Sequence, residues 1–251
     1  MSGTLLLMPN ALDLGADAVD LREVLPLGVI RRAAALRHWA AEDARSARAF
    51  LKRVDAIEPL GVPLQAIAIA DLPRARKGSH EAVPAAQWQA LLQPALQGLD
   101  LGLLSEAGLP AVADPGSALV RAAHRAGLRV LPLAGPSSLL LALAASGLNG
   151  QSFAFVGYLP QEAAARNARL KELEAHSRRL AQTQLLIETP YRNAALLQAI
   201  IATLAPQTEL AVSCGLTLEG GWTRTDSVAG WRARPAQMPD RWPAVFGLLA
   251  G

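Results

Sequence analysis

Hydrophobic positions along the chain fall into two kinds of run. Short, unbroken apolar stretches occupy Thr4–Met8, Gln65–Ala70, Leu101–Leu104, Arg129–Leu133, Phe153–Gly157, Gln184–Ile187, Glu209–Cys214 and Ala244–Leu249. Their length and lack of alternation predict strands covered on both faces. Longer Ala- and Leu-rich stretches with helical periodicity cover Val29–Trp39, Asp43–Val54, Ala85–Gln97, Ala118–Ala126, Ser137–Ser146, Glu162–His176 and Arg192–Leu204. These predict helices, since Ala and Leu are strong helix formers. Strands alternating with helices predict an α/β chain built from βαβ units with mainly parallel sheets. Ser137 suits an N-cap, Gly127 and Gly147 suit helix C′ positions, and Pro190 stops a strand and opens a helix. Asp71–Glu81 has charge, Pro and Gly without a period and reads as a loop. Gly215–Arg241 reads as a hairpin plus loops.

Composition narrows the class. The 251 residues allow one large domain or two small ones, and 51% hydrophobic content excludes an intrinsically disordered chain. The single cysteine, Cys214, excludes an internal disulfide framework and a cysteine-rich zinc site, and it reads as a strand residue. His38, His80, His124 and His176 are scattered, so no metal site is expected. The net charge of +3 rests mostly on arginine, which permits a polyanionic partner without requiring one. The longest apolar stretch, Ser137–Leu148, is shorter than the roughly 20 residues of a membrane span. The N-terminal segment lacks the basic start of a signal peptide, so a soluble, cytoplasmic protein is expected.

Chemistry concentrates in loops that follow predicted strands. The densest is Leu104–Gly116, with small residues, two glycines, and the acids Glu106 and Asp114. In open α/β sheets ligands bind outside the carboxyl ends of strands, where small residues let backbone approach a ligand. A tight turn with Asp114 balancing a helix dipole explains the segment equally well. Leu133–Ser138 has the same character, with Gly135, Ser137 and Ser138 opening a helix. Glu42 and Asp43 precede a helix bearing Arg45, and Glu188 and Arg192 flank a strand-to-helix junction where they could face a cleft or pair with each other. No P-loop, dinucleotide fingerprint or hydrolase elbow is present, which disfavours a nucleotide triphosphatase, a Rossmann dehydrogenase and a Ser-His-Asp hydrolase.

Read together, these segments resemble a methyltransferase family. Ser105–Pro110, Ala113–Gly116 and Leu131–Ser138 look like the S-D-A-G-x-P, S-D-P-G and V-P-x-P-G-P-S-A motifs of the tetrapyrrole methylase superfamily. Ala144–Leu148, Phe155–Pro160, Glu188–Arg192 and Ala41–Arg45 are similar, in order, to its A-S-G-L, F-x-G-F-L-P, E-S-P-H-R and A-E-D-T-R segments. The nearest branch is the small-subunit ribosomal RNA 2′-O-ribose (cytidine) methyltransferases, or an uncharacterised sister group. The chain departs from that branch at Met8–Asp13, at Glu106, and at Ser213–Leu218 where the branch has R-E-L-T-K.

The resemblance implies two α/β domains, 1–132 and 133–251, with S-adenosylmethionine in a cleft between them and a homodimeric assembly. It implies cofactor contacts from Ser105, Glu106, Ala107, Gly108, Asp114, Pro115, Pro132, Gly135, Ser137, Ser138 and Phe155. An alcohol acceptor needs its proton taken, for which Glu106, Glu42, Asp43 and Glu188 are the candidates; Arg45 and Arg192 are candidates to hold a substrate anion. The implied acceptor is small-subunit ribosomal RNA. A tetrapyrrole or other small molecule, and a cofactor-binding protein without catalysis, are the alternatives.

Overall fold

The computed structural model describes residues 2–13, 19–74, 83–114 and 116–251. The chain divides into two compact units, Met1–Ser137 and Ser138–Gly251.

The first unit contains β1 (Thr4–Met8), α1 (Leu21–Val24), α2 (Leu27–Ala35), β2 (His38–Ala41), α3 (Ala44–Asp55), β3 (Ala68–Asp71), α4 (Ala85–Leu91), α5 (Gln93–Leu96), β4 (Leu101–Leu104), α6 (Ser117–Arg125) and β5 (Arg129–Pro132). Its sheet runs β3-β2-β4-β1-β5, and every pairing is parallel. Successive side chains of a strand point to opposite faces, so one apolar run feeds two cores. Leu6, Met8 and Trp39 pack with Ile30, Phe50 and Val54 of α2 and α3. Leu5, Leu101 and Leu103 pack on the other face with Trp88, Leu92 and Leu119. Gly102 is required between them, because a Cβ there would press into the Trp39 indole and Leu36.

The second unit contains α7 (Ser138–Ser146), β6 (Phe153–Gly157), α8 (Ala163–Leu180), β7 (Thr183–Glu188), α9 (Asn193–Thr203), β8 (Glu209–Cys214), β9 (Trp222–Ser227), α10 (Val228–Ala233) and β10 (Ala244–Leu249). Its sheet runs β6-β7-β10-β8-β9. Only β6 and β7 pair in parallel; β10, β8 and β9 continue antiparallel. One face is covered by α8, α9 and α10 through Leu170, Leu197, Ile200 and Trp231. The other meets Leu139 and Leu143 of α7.

The α/β alternation is as the apolar runs predict, with local differences; Gly215–Arg241, expected as a hairpin plus loops, also holds the helix α10. The helix expected over Val29–Trp39 stops at Ala35, and His38–Ala41 is a strand. Leu36 is already extended and buried, so tertiary packing overrides the helix preference of the alanines. The stretch 85–97 is two helices divided at Leu92, with Pro94 in the first turn of the second. The helix expected to end at His176 continues to Leu180. Parallel pairing is confined to the first sheet and one edge of the second. Gly127 and Gly147 both take left-handed φ after their helices. Of the loop expected over Asp71–Glu81, residues 75–81 lie outside the described residues, and Asp71 closes β3.

Candidate functional site

Parallel pairing brings the carboxyl ends of β2, β4 and β1 side by side: Leu104 is in register with both Ala41 and Met8. The residues that follow, Glu42-Asp43, Ser105-Glu106 and Pro9-Asn10, therefore leave the sheet at one edge. Asn10 ties two of these loops together. Its Nδ2 donates to the carbonyls of Ser105 (3.3 Å) and Glu106 (3.0 Å), and its Oδ1 accepts from the Ala11 N–H (2.9 Å). Backbone bonds with Gly108 run both ways, at 2.9 and 3.2 Å. Asn10 is buried, as is Ser105, whose hydroxyl donates to the Ala107 carbonyl at 3.2 Å.

Three acids meet at this edge. Burial, followed by the charge of Glu42, pushes the Asp114 carboxyl up to about 6, against a hydrogen bond from Ser105 that lowers it. Burial, then the Glu106 charge, also raises Glu42, while a backbone hydrogen bond at Glu106 and the Arg74 charge oppose the rise. Arg74 donates to the Glu42 carbonyl at 2.9 Å. Asp43 behaves differently. It caps α3, its Oδ1 accepting from the Ser46 N–H (2.8 Å) and hydroxyl (3.1 Å), and these bonds hold it below the usual carboxylate range. The loop that carries Asp114 holds Ala111 and Ala113 at φ of 67° and 63°. This left-handed conformation costs an alanine roughly 1–2 kcal/mol, and such strain gathers at functional loops.

A cavity of about 530 Å³ opens beside the cluster, lined by Asn10, Asp43, Arg45, Phe50, Arg53 and Glu106 among others. Arg53 is anchored by Asp13 (2.8 Å) and the Val19 carbonyl (2.6 Å). Arg45 is exposed and makes no ion pair among the described residues. After β5, Gly135 packs so closely on Pro9 that an added Cβ would overlap the proline ring. Pro132 is exposed and Ser137 is buried.

The remaining positions singled out in the sequence lie in the second unit or outside the described residues. Glu188 and Arg192 pair with each other at 2.6 Å, and Glu188 also accepts from the Thr189 N–H at 2.7 Å. Ser138 opens α7, and Phe155 of β6 packs on the core around Leu139 and Leu143. Cys214 is buried at the end of β8, where burial pushes its thiol up. Pro115 lies outside the described residues. The residue that sequence reasoning missed is Asn10. Its only local signal is an amide side chain directly after a buried strand and a proline. Among the described residues no group of His, Cys, Asp or Glu is arranged to hold a metal, and no helix is long and apolar enough to cross a membrane.

Three proteins named ribosomal RNA small subunit methyltransferase I illustrate the likeness to curated relatives. The Vibrio cholerae protein is 39% identical over 129 residues, covering 51% of this chain and 43% of that protein. The Xylella fastidiosa protein is 44% identical over 117 residues, 47% of this chain and 41% of that protein. The Pasteurella multocida protein is 32% identical over 159 residues, 63% and 55%. The matched stretch thus spans about half or less of these relatives' length. Solved structures share the fold across nearly the whole chain. Diphthine synthase matches with a TM-score of 0.62 at 13% identity, covering 98% of this chain and 90% of that one. The methyltransferase CobJ matches with a TM-score of 0.57 at 16% identity and full coverage of both chains. The family model for tetrapyrrole (corrin/porphyrin) methylases matches residues 27–226, so the chain belongs to that family.

Proposed function

We propose that this chain is an S-adenosylmethionine-dependent methyltransferase acting on RNA, with a ribose 2′-hydroxyl of small-subunit ribosomal RNA as acceptor. The observation that carries the reading is the 32–44% identity to proteins named ribosomal RNA small subunit methyltransferase I. Homodimeric assembly and a cytoplasmic location belong to the same reading.

The carboxyl edge of the first sheet suits a cationic methyl donor. Glu42, Glu106 and Asp114 crowd together, and burial with the neighbouring acid charge raises Glu42 and Asp114, a field that a sulfonium and an ammonium would relieve. Ala107 carries only a methyl, which leaves room for close approach of a ligand, while the Gly108 N–H and carbonyl are taken by Asn10. Ser105, Glu106, Ala107, Gly108, Asp114, Gly135 and Ser137 would hold the donor, which supplies a methyl group already activated on sulfur. The work left to the chain is alignment and proton transfer. Asp43 is committed to capping α3 and Glu188 to Arg192, so of the four candidates Glu42 and Glu106 remain to take the proton of an acceptor hydroxyl, and Asp114 beside them joins them. A positioned base contributes on the order of 10²–10⁴-fold. Arg45, exposed beside the cavity, is the residue for an acceptor phosphate.

Calorimetry with S-adenosylmethionine and its demethylated product is the first test, and absence of heat with both overturns the reading. Methyl transfer to small subunits from a strain lacking the gene, mapped by mass, is the second. Donor binding without transfer to the subunit overturns the RNA acceptor alone.

A further inference from the structure

The parallel sheet of the first unit carries opposite charge at its two edges. The carboxyl edge bears Glu42, Asp43, Asp71, Glu106 and Asp114, five acids against Arg45, Arg74 and the Asp13-paired Arg53. The amino edge bears Arg37 and His38 at the start of β2 and Arg129 at the start of β5. Register places them at the same edge: His38 pairs with Leu101, Leu101 with Leu5, and Arg129 with Thr4. Three strand spacings, roughly 14 Å, separate β2 from β5.

A cavity of about 420 Å³ opens at this amino edge, lined by Arg32, Arg37, His38, Leu99 and Asp100 among others. Arg32 and Arg37 are exposed and His38 is half-buried. None of the three makes an ion pair among the described residues, whereas the adjacent Arg31 is paired with Glu58 at 3.6 Å. The single acid of the cavity, Asp100, already accepts the Thr4 N–H at 2.8 Å. Arg32 lies in the last turn of α2 and offsets the negative end of that helix dipole. Arg37 and His38 stand beyond the helix, so their donors remain for another anion.

We propose that this cavity binds backbone phosphates of the RNA acceptor, on the edge of the sheet opposite the acid cluster; the inference rests on the RNA reading above. The physical reason is a conflict of charge. An edge acidic enough to favour a cationic methyl donor repels a polyanion, so a polyanionic acceptor needs its main hold elsewhere. Arginine forks match phosphate oxygens, and phosphate contacts position an RNA without reading its sequence.

The test measures the affinity of a labelled, mixed-sequence, single-stranded RNA 20-mer across a KCl series. The proteins compared are wild type, Arg32→Gln/Arg37→Gln and the control Arg121→Gln/Arg125→Gln. The control removes equal charge from the exposed face of α6. For the first double variant we expect roughly tenfold weaker binding. Its salt slope should fall by about 1.4, from two lost contacts at ~0.7 each on a single strand. Its S-adenosylmethionine affinity should stay at the wild-type value, its melting temperature should fall only by the few degrees that the loss of the Arg32 charge at the end of α2 implies, and the control should stay within about twofold of wild type in RNA affinity. Equal losses in both double variants would mean diffuse charge and overturn the site. If wild type methylates the small subunit while the Arg32/Arg37 variant keeps wild-type RNA affinity and slope, the inference fails and the RNA reading stands. If wild type neither binds RNA nor methylates the subunit, both fall. Tripolyphosphate binding that depends on Arg32 and Arg37, without RNA binding, overturns an RNA surface and leaves a small-anion site.

Discussion

The acid cluster at the carboxyl edge of the first sheet differs from the paired acids found elsewhere in the first unit and in the second. At the carboxyl edge of the first sheet, Glu42 and Asp114 sit beside Glu106, and burial with the neighbouring acid charge disfavours the charged state of Glu42 and Asp114. In the second unit five acids have partners, including Glu172 with Arg169. Glu188 meets Arg192, and Asp226 meets Arg224 and Arg234 at 2.9 Å. Glu174 accepts from the Ala205 N–H at 2.8 Å, and Glu162 caps α8. The second unit spends its charges on holding its own fold, while the first tolerates an unfavourable cluster where a ligand would relieve it. Destabilised charge at one edge of an otherwise well-packed sheet is how sites differ from scaffold.

The largest expected effect tests the matched side. Glu188→Ala strands the partly buried Arg192 guanidinium and removes the acceptor of the Thr189 N–H, which should cost about 3 kcal/mol in urea unfolding. A loss below about 1 kcal/mol would erase the contrast between the acid cluster and the paired acids. Next, Gly135→Ala forces a methyl into the Pro9 ring and should cost about 2 kcal/mol together with donor affinity read by calorimetry.

Asp114→Asn tests the unmatched side, and its sign is opposite. The folded-state value of about 6 lies above the ordinary 3.8, so the wild-type carboxyl favours folding below pH ~4 and loses that contribution as pH rises through about 6. The whole rise is worth about 3 kcal/mol at most, and partial solvent exposure reduces this to about 1–2 kcal/mol. The asparagine variant should therefore be more stable than wild type at pH 8 and lose that advantage by pH 4, measured by urea unfolding at both values. Asp226 runs the other way: Arg224 holds its carboxyl low, so its contribution is present above pH ~4 and is lost on further acidification. The smallest effect is Ala113→Gly, which should stabilise by less than about 1 kcal/mol, since relief of left-handed strain is partly offset by glycine's larger unfolded-state entropy. A loss of stability on that substitution would mean the Ala113 methyl packs in a way that outweighs its strain.

Much of this was legible in the chain, for a physical reason. Strands covered on both faces are uninterrupted apolar runs, so β1, β4, β6, β8 and β10 stand where those runs stand. β2 was hidden because His38-Trp39-Ala40-Ala41 continues an alanine-rich helix without Gly or Pro. Only the burial of Trp39 against Gly102, more than sixty residues away, makes it a strand. The loops of the candidate site were visible as small, acidic segments after strands. Their meeting was not, because Glu42 and Ser105 become neighbours only once β2 and β4 are known to pair. The Glu188–Arg192 pair, four residues apart, was local enough to anticipate. The Asn10 contacts, which reach 95 and 96 residues along the chain, were not.

The Asn10 tie has a consequence for how this edge can vary. Paired backbone bonds to Gly108 and two side-chain bonds fix the start of the β4 loop to the end of β1. The far end of that loop is fixed by α6, which begins at Ser117. Residues 109–113 therefore hang between the Gly108 anchor and Asp114, which accepts from Ser105, like a span between piers. Insertions and deletions there would alter the outline presented to a ligand while both piers keep their places. The tie thus separates the part of the edge that must keep its shape from the part free to diverge in length.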